Sequence, residues 1–189
     1  MKYILVLLTF LFSMNVFAEH KTLEGQEEFK NNKNIVQEIF YYACHHCQKI
    51  EEPLQKWENK VESNTIVEKV PVVLSNTQKL AAKHYYSSQY LSVEKEFSKK
   101  YFERLMQNEV ISDELATEIL LEMGEKKEKI NEAFNSNWVA EKVQKAREVT
   151  LRMKINTVPT FLINNKFVVK RSSFMNDEKL FNYIERLTN

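Results

Sequence analysis

The sequence predicts an α/β protein in which one sheet draws strands from both ends of the chain, with an all-helical block inserted between them. Three observations predict it. Residues 35–74 pass from a strand pattern to a helical one and back to a strand. Residues 75–137 keep helical spacing throughout and show no strand pattern. Residues 155–169 read as a hairpin, and an amphipathic helix follows them.

The first 18 residues read as a secretory signal, with Lys2 as the positive start and an apolar run at 4–12 broken only by Thr9. Val16-Phe17-Ala18 suits a cut that leaves Glu19 as the first mature residue. The apolar run is shorter than the roughly 20 residues a spanning helix needs, which favours cleavage over anchoring. No cysteine near the cut could take a lipid, no twin arginine precedes the run, and the last four residues are not a retention signal for the endoplasmic reticulum. The expectation is an exported bacterial protein located in the periplasm.

Residues 19–34 are polar, an irregular lead-in with room for one short edge strand. Residues 35–42 are apolar, β-branched and aromatic, which suits a central strand, with Tyr41 and Tyr42 packing on opposite faces. Glu38 is the anomaly in that strand, because a buried carboxylate is costly unless paired. Residues 44–60 place Cys47, Ile50, Leu54 and Trp57 at helical spacing; Pro53 kinks this helix rather than ending it. Residues 65–74 form a second strand, and Pro71 near its end marks an edge or a bulge.

In the helical block, Thr77 is a candidate cap for a run carrying Leu80, Ala81, His84, Tyr85, Ser88 and Leu91. Phe97, Tyr101, Phe102 and Leu105 mark a second helix. Ser112 caps a third, with Leu115, Ile119 and Met123 as its stripe and Gly124 as its stop. Residues 126–134 form a short charged helix. Asn137 is the candidate cap of a helix over 138–154 with the stripe Val139, Val143, Ala146, Thr150 and Met153. Asn164-Asn165 makes the turn of the following hairpin, since asparagine tolerates positive φ. Asn176-Asp177 opens the last helix, with Leu180, Phe181, Ile184 and Leu187 facing inward.

Net charge is +1, from 27 basic and 26 acidic side chains, so nothing calls for nucleic acid or an acidic membrane as partner. Gly25 and Gly124 are the only glycines, which excludes glycine-rich phosphate loops and dinucleotide fingerprints.

Cys44 and Cys47, the only cysteines, flank His45 and His46 where the first strand hands over to its helix. Outside the cytoplasm such thiols can be oxidised and stay so. A structural disulfide stabilises mainly by closing a long loop, and this pair closes almost none, so it is kept for its chemistry. Two thiols on one helical turn can join with little backbone movement. The first lies among unpaired N–H groups at the positive end of the helix dipole, which favours thiolate, while the second turns inward. Cys44 is then the attacking or attacked sulfur, and Cys47 resolves the mixed disulfide. The two histidines add donors and positive charge. Favouring the thiolate makes the disulfide the stronger oxidant, by about 30 mV per 1.4 kcal/mol, which points to an oxidase. Structural zinc would need four ligands, and further cysteines are missing.

With these residues in place, the chain resembles the DsbA family of thiol:disulfide oxidoreductases, a thioredoxin-like fold with an inserted all-helical domain. The strand entering Cys44-His45-His46-Cys47 and the helical insertion carry the resemblance. So do Thr157-Val158-Pro159-Thr160, similar to the family's cis-proline loop facing the dithiol, and Asn164-Asn165-Lys166-Phe167, similar to its Asn-Gly-Lys/Arg hairpin. The resemblance implies a signal peptide at 1–18, a thioredoxin-like N-terminal half at 19–75, a helical insertion at 76–137 and a C-terminal half at 138–189. It implies that Cys44, Cys47, His46, His45, Val158 and Pro159 belong to the site. It also implies that Glu38 and Lys69 form a buried acid–lysine pair that helps take the proton from Cys47. His45 departs from the family's common proline. The implied function is to introduce disulfides into reduced, unfolded exported proteins, as a monomer without cofactor or nucleic acid, with reoxidation by a quinone-linked membrane oxidase of the DsbB type. Rival readings are a reductase or isomerase, and a non-catalytic chaperone or metal carrier on the same fold.

Overall fold

The computed structural model describes residues 20–22 and 33–188; the expected signal segment and its cut lie outside them. In chain order the elements are β1 (His20–Thr22), β2 (Asn34–Phe40), α1 (His45–Glu58), β3 (Thr65–Pro71), α2 (Asn76–Tyr90), α3 (Glu94–Met106), α4 (Asp113–Glu122), α5 (Lys127–Phe134), α6 (Asn137–Arg152), β4 (Thr160–Ile163), β5 (Phe167–Lys170) and α7 (Asp177–Thr188).

One sheet runs β1-β5-β4-β2-β3, with β2 parallel to β3 and the other pairings antiparallel. The β-α-β half and the hairpin-helix half share this sheet, as the sequence predicts. Central β2 carries buried Val36, Glu38, Ile39 and Phe40. It ends at Phe40, earlier than expected, because the chain turns at once, with the Cys44 N–H donating to the Tyr41 carbonyl at 3.1 Å. Tyr41 and Tyr42 therefore lie in the turn rather than on opposite faces of a strand. The lead-in supplies the short edge strand β1, which pairs with β5. At the opposite edge β3 ends at Pro71, whose missing N–H falls on the open side of an edge strand, where no ladder bond is lost. Val72 then donates to the Phe40 carbonyl at 2.8 Å, and Val73 to the Thr150 hydroxyl at 3.2 Å.

Two apolar layers cover the sheet. Val36, Phe161, Ile163 and Val169 pack with Ile50, Leu54 and Trp57 of α1 and with Leu180, Phe181 and Ile184 of α7. Ile39, Val70, Leu162 and Val168 belong to the larger layer with α2 to α6. Tyr42 enters that layer: its ring is edge-on to Tyr101 at 4.8 Å, and its hydroxyl meets Ser98 at 2.7 Å. Buried His84 of α2 bridges Tyr101 of α3 and Asp113 at the start of α4, both at 2.8 Å. The strand leaving the sheet is thus embedded in the helical block.

Several caps shift by one or two residues from the sequence reading. Ser75, not Thr77, caps α2, because Ser75 and Gln78 form a reciprocal capping box. Ser136, not Asn137, caps α6 by accepting from the Trp138 N–H at 3.1 Å. Ser112 caps α4, and Gly124 follows it at φ +90°. Asn164 and Asn165 take φ of 51° and 52°, as a two-residue hairpin turn demands. The Asn164 side chain accepts from the Ile35 N–H at 2.8 Å and donates to the Asn34 side-chain oxygen at 3.0 Å, while the Asn34 amide donates to the Thr188 carbonyl at 2.7 Å. This clasp joins the start of β2, the hairpin turn and the end of α7. No helix among the described residues is long and apolar enough to cross a membrane.

Candidate active site

Cys44 is the N-cap of α1. Its backbone is extended at φ −108° and ψ 109°, and its sulfur accepts from the Cys47 N–H at 3.3 Å. The sulfur occupies the place a serine or aspartate oxygen takes in an ordinary cap, where the first turn's N–H groups have no helical partner. Cys47, one turn on, points into the core and is fully buried. His45 and His46 lie between them on the exposed side. Both cysteines are free thiols.

The two sulfurs differ in their hold on a proton. The Cys44 thiol is pulled down to about 6, first by the Cys47 S–H donating to it, then by the Cys47 and His46 backbone N–H groups and the charge of His46; its partial burial opposes this. Burial pushes the Cys47 thiol strongly up, and its hydrogen bond to Cys44 and the charges of Cys44 and Glu38 add to the shift.

The chain before β4 closes over Cys44. The Val158–Pro159 bond is cis, and the Cys44 sulfur stands 3.7 Å from the Val158 carbonyl oxygen. The Val158 N–H has no protein hydrogen-bond partner among the described residues.

Beneath α1, Glu38 and Lys69 face each other in the β2–β3 register. Their contact is looser than a direct pair, with the Lys69 ammonium 3.9 Å from a Glu38 oxygen. Lys69 instead donates to both oxygens of Glu51, at 2.5 and 2.6 Å, and lies over the rings of Phe40 at 4.6 Å and Phe102 at 5.7 Å. Glu38 is fully buried, and neither of its carboxylate oxygens has a hydrogen-bond partner among the described residues. Burial raises its pKa to about 8, the Lys69 charge offsetting only part of that. For Lys69, burial works against the charged form, but the carboxylates of Glu38 and Glu51 outweigh it and raise its pKa.

Glu51 was not among the residues singled out by the sequence. The available signal was its position four residues after Cys47, one helical turn along the inward side. Glu51 and Lys69 line a groove of about 1290 Å³ between α1, β3 and helices α2, α3 and α6. No group of three or more His, Cys, Asp or Glu side chains among the described residues is placed to hold a metal ion.

Comparison with known proteins adds the family. A thiol:disulfide interchange protein DsbA of Pseudomonas aeruginosa is 22% identical over 134 residues, which is 70% of this chain and 64% of that protein. The chain thus aligns with a little under two thirds of that relative's length. The protein of the same name from Buchnera aphidicola is 24% identical over 183 residues, 93% of this chain and 86% of its own. Among solved structures, Pseudomonas aeruginosa DsbA superposes with a TM-score of 0.83 at 21% identity, covering 90% of this chain and 91% of that one. The oxidoreductase DsbA from Xylella fastidiosa gives 0.76 at 23% identity, covering 83% and 85%. At these identities the superpositions speak for the fold, a thioredoxin fold with a helical insertion. The family model described as a DSBA-like thioredoxin domain matches residues 35–180, and the chain belongs to that family.

Proposed function

We propose that the protein is a periplasmic thiol:disulfide oxidoreductase that introduces disulfide bonds into reduced, unfolded exported proteins through Cys44 and Cys47. One observation carries the reading: two sulfurs three residues apart are held in opposite protonation preferences, Cys44 down to about 6 and Cys47 well above a free thiol. The names of the two relatives above, both thiol:disulfide interchange proteins, support it.

In the oxidised form a substrate thiolate attacks the Cys44 sulfur, and the Cys44–Cys47 bond breaks. Cys47 leaves with the electron pair and takes a proton. Glu38, still protonated at neutral pH because burial raises its pKa to about 8, is the group to supply that proton and to take it back on reoxidation. A second substrate thiolate then attacks the substrate sulfur of the mixed disulfide. Cys44 departs as the thiolate its cap stabilises, so two electrons pass from substrate to enzyme. His46 adds favourable charge to Cys44, His45 stands in the solvent-facing position beside it, and Val158 and Pro159 form the wall that the substrate chain passes. Reoxidation falls to a quinone-linked membrane oxidase of the DsbB type.

Titration of the reduced protein by thiolate absorbance should show Cys44 ionising near 6. The Cys47→Ser variant should accumulate substrate proteins joined to Cys44, and Cys44→Ser should accumulate none. A Cys44 that ionises like a free thiol, near 8.5, together with no oxidation of peptide thiols, rejects the reading.

A further inference from the structure

The segment beside Cys44 holds two hydrogen bonds that the reaction just described does not use. The Thr160 hydroxyl donates to the Thr157 carbonyl at 2.8 Å, and the Arg171 N–H donates to the Pro159 carbonyl at 3.1 Å. Thr160 is the first residue of β4, registered with Ile39 of β2 and Lys170 of β5, and only 1% exposed. Its hydroxyl is therefore anchored to the sheet itself.

The Thr157 carbonyl and the Val158 N–H are the two polar ends of one planar peptide unit. That unit is trans, since the only cis bond among the described residues is the next one. In a trans unit the oxygen and the hydrogen point in opposite directions. Holding the oxygen against a buried hydroxyl therefore turns the N–H the other way, and this N–H has no protein partner among the described residues. The Val158 carbonyl, on the far side of the residue, is the group 3.7 Å from the Cys44 sulfur. Val158 thus offers one donor and one acceptor along a half-buried edge next to the sulfur, as an edge strand offers its backbone.

We propose that Thr160 is a positioning residue for polypeptide substrates. Its buried hydroxyl fixes the plane of the Thr157–Val158 peptide, so that the Val158 N–H meets the backbone of an extended chain whose cysteine is joined to Cys44. The inference rests on the oxidoreductase reading and adds what that reading lacks, a reason for the site to prefer a peptide over a small dithiol. A small dithiol has no backbone for Val158 to receive.

The test compares oxidised parent, Thr160→Val, Thr160→Ala and Thr160→Ser proteins on a reduced synthetic peptide with two cysteines and on dithiothreitol. Loss of one aligned hydrogen bond predicts that Val and Ala raise KM for the peptide about fivefold, with little change in kcat. The ratio of peptide to dithiothreitol rate constants should fall in step, and Ser, which keeps the hydroxyl, should restore it. Cys44 should still ionise near 6 in every variant. The proposal is overturned if Val and Ala keep the parental peptide KM, if both substrates slow together, or if Ser behaves like Ala. A parent that oxidises neither substrate removes the oxidoreductase reading as well, and so marks a different failure.

Discussion

Both oxygens of Glu38 are buried without a hydrogen bond among the described residues, and its pKa stands at about 8 against 4.5 for an exposed glutamate. Between those values the folded protein keeps a proton that the unfolded chain has released. The group's contribution is fully present below the unfolded value and is lost as pH rises through the folded one. Glu38→Gln keeps the shape and cannot ionise. Urea unfolding of the oxidised proteins should show the parent losing more stability than the variant between about pH 5 and about pH 9. Parallel profiles would mean that Glu38 ionises normally in the fold. The sequence pointed to Glu38 because a carboxylate stands out in an apolar strand. It did not show that Lys69 would turn to Glu51. Which of two carboxylates a lysine takes depends on how α1 sits over β3, and local spacing does not encode that.

At the scale of the element, α1 has a sulfur for a cap. Cys44→Ser and Cys44→Ala both abolish redox chemistry, but serine still accepts from the first turn and alanine cannot. The alanine variant should be less stable than the serine variant by about 1 kcal/mol in chemical denaturation. Equal midpoints would show that the Cys47 N–H contact contributes nothing to the helix. Elements with their own periodicity were legible in advance: α1 from Cys47, Ile50, Leu54 and Trp57, the hairpin turn from its paired asparagines, and α4 from Ser112 and Gly124. Their edges were less so. Ser75 and Gln78 carried a readable capping box, whereas Thr77 merely looked like a cap. Tyr42 reads as strand by propensity, but its ring and hydroxyl are claimed by Tyr101 and Ser98 of α3, a contact across the chain that outweighs local preference.

For the molecule as a whole, the depressed Cys44 pKa ties redox state to stability. In the reduced protein the Cys44 thiol ionises at about 6 when folded, against an ordinary 9.0 when unfolded. The stabilisation is complete above the unfolded value and is lost as pH falls through the folded one. The disulfide form has no such group, and the constraint its short loop imposes does not titrate. The difference in unfolding free energy between reduced and oxidised protein should therefore move in favour of the reduced form from about pH 6 to about pH 9. Paired calorimetric scans would check it, and a difference that stays flat with pH would remove the thiolate from the account.

The Asn34 clasp has a consequence for how the molecule can be held. Asn34 begins β2 and Cys44 lies just past its other end, so the clasp and the sulfur are separated by the strand's length, roughly 20 Å. Because Asn34 grips the Thr188 carbonyl, the chain leaves its final helix at the far pole from the dithiol. A tether attached there would act as a handle, leaving the reactive pole turned toward whatever drifts past.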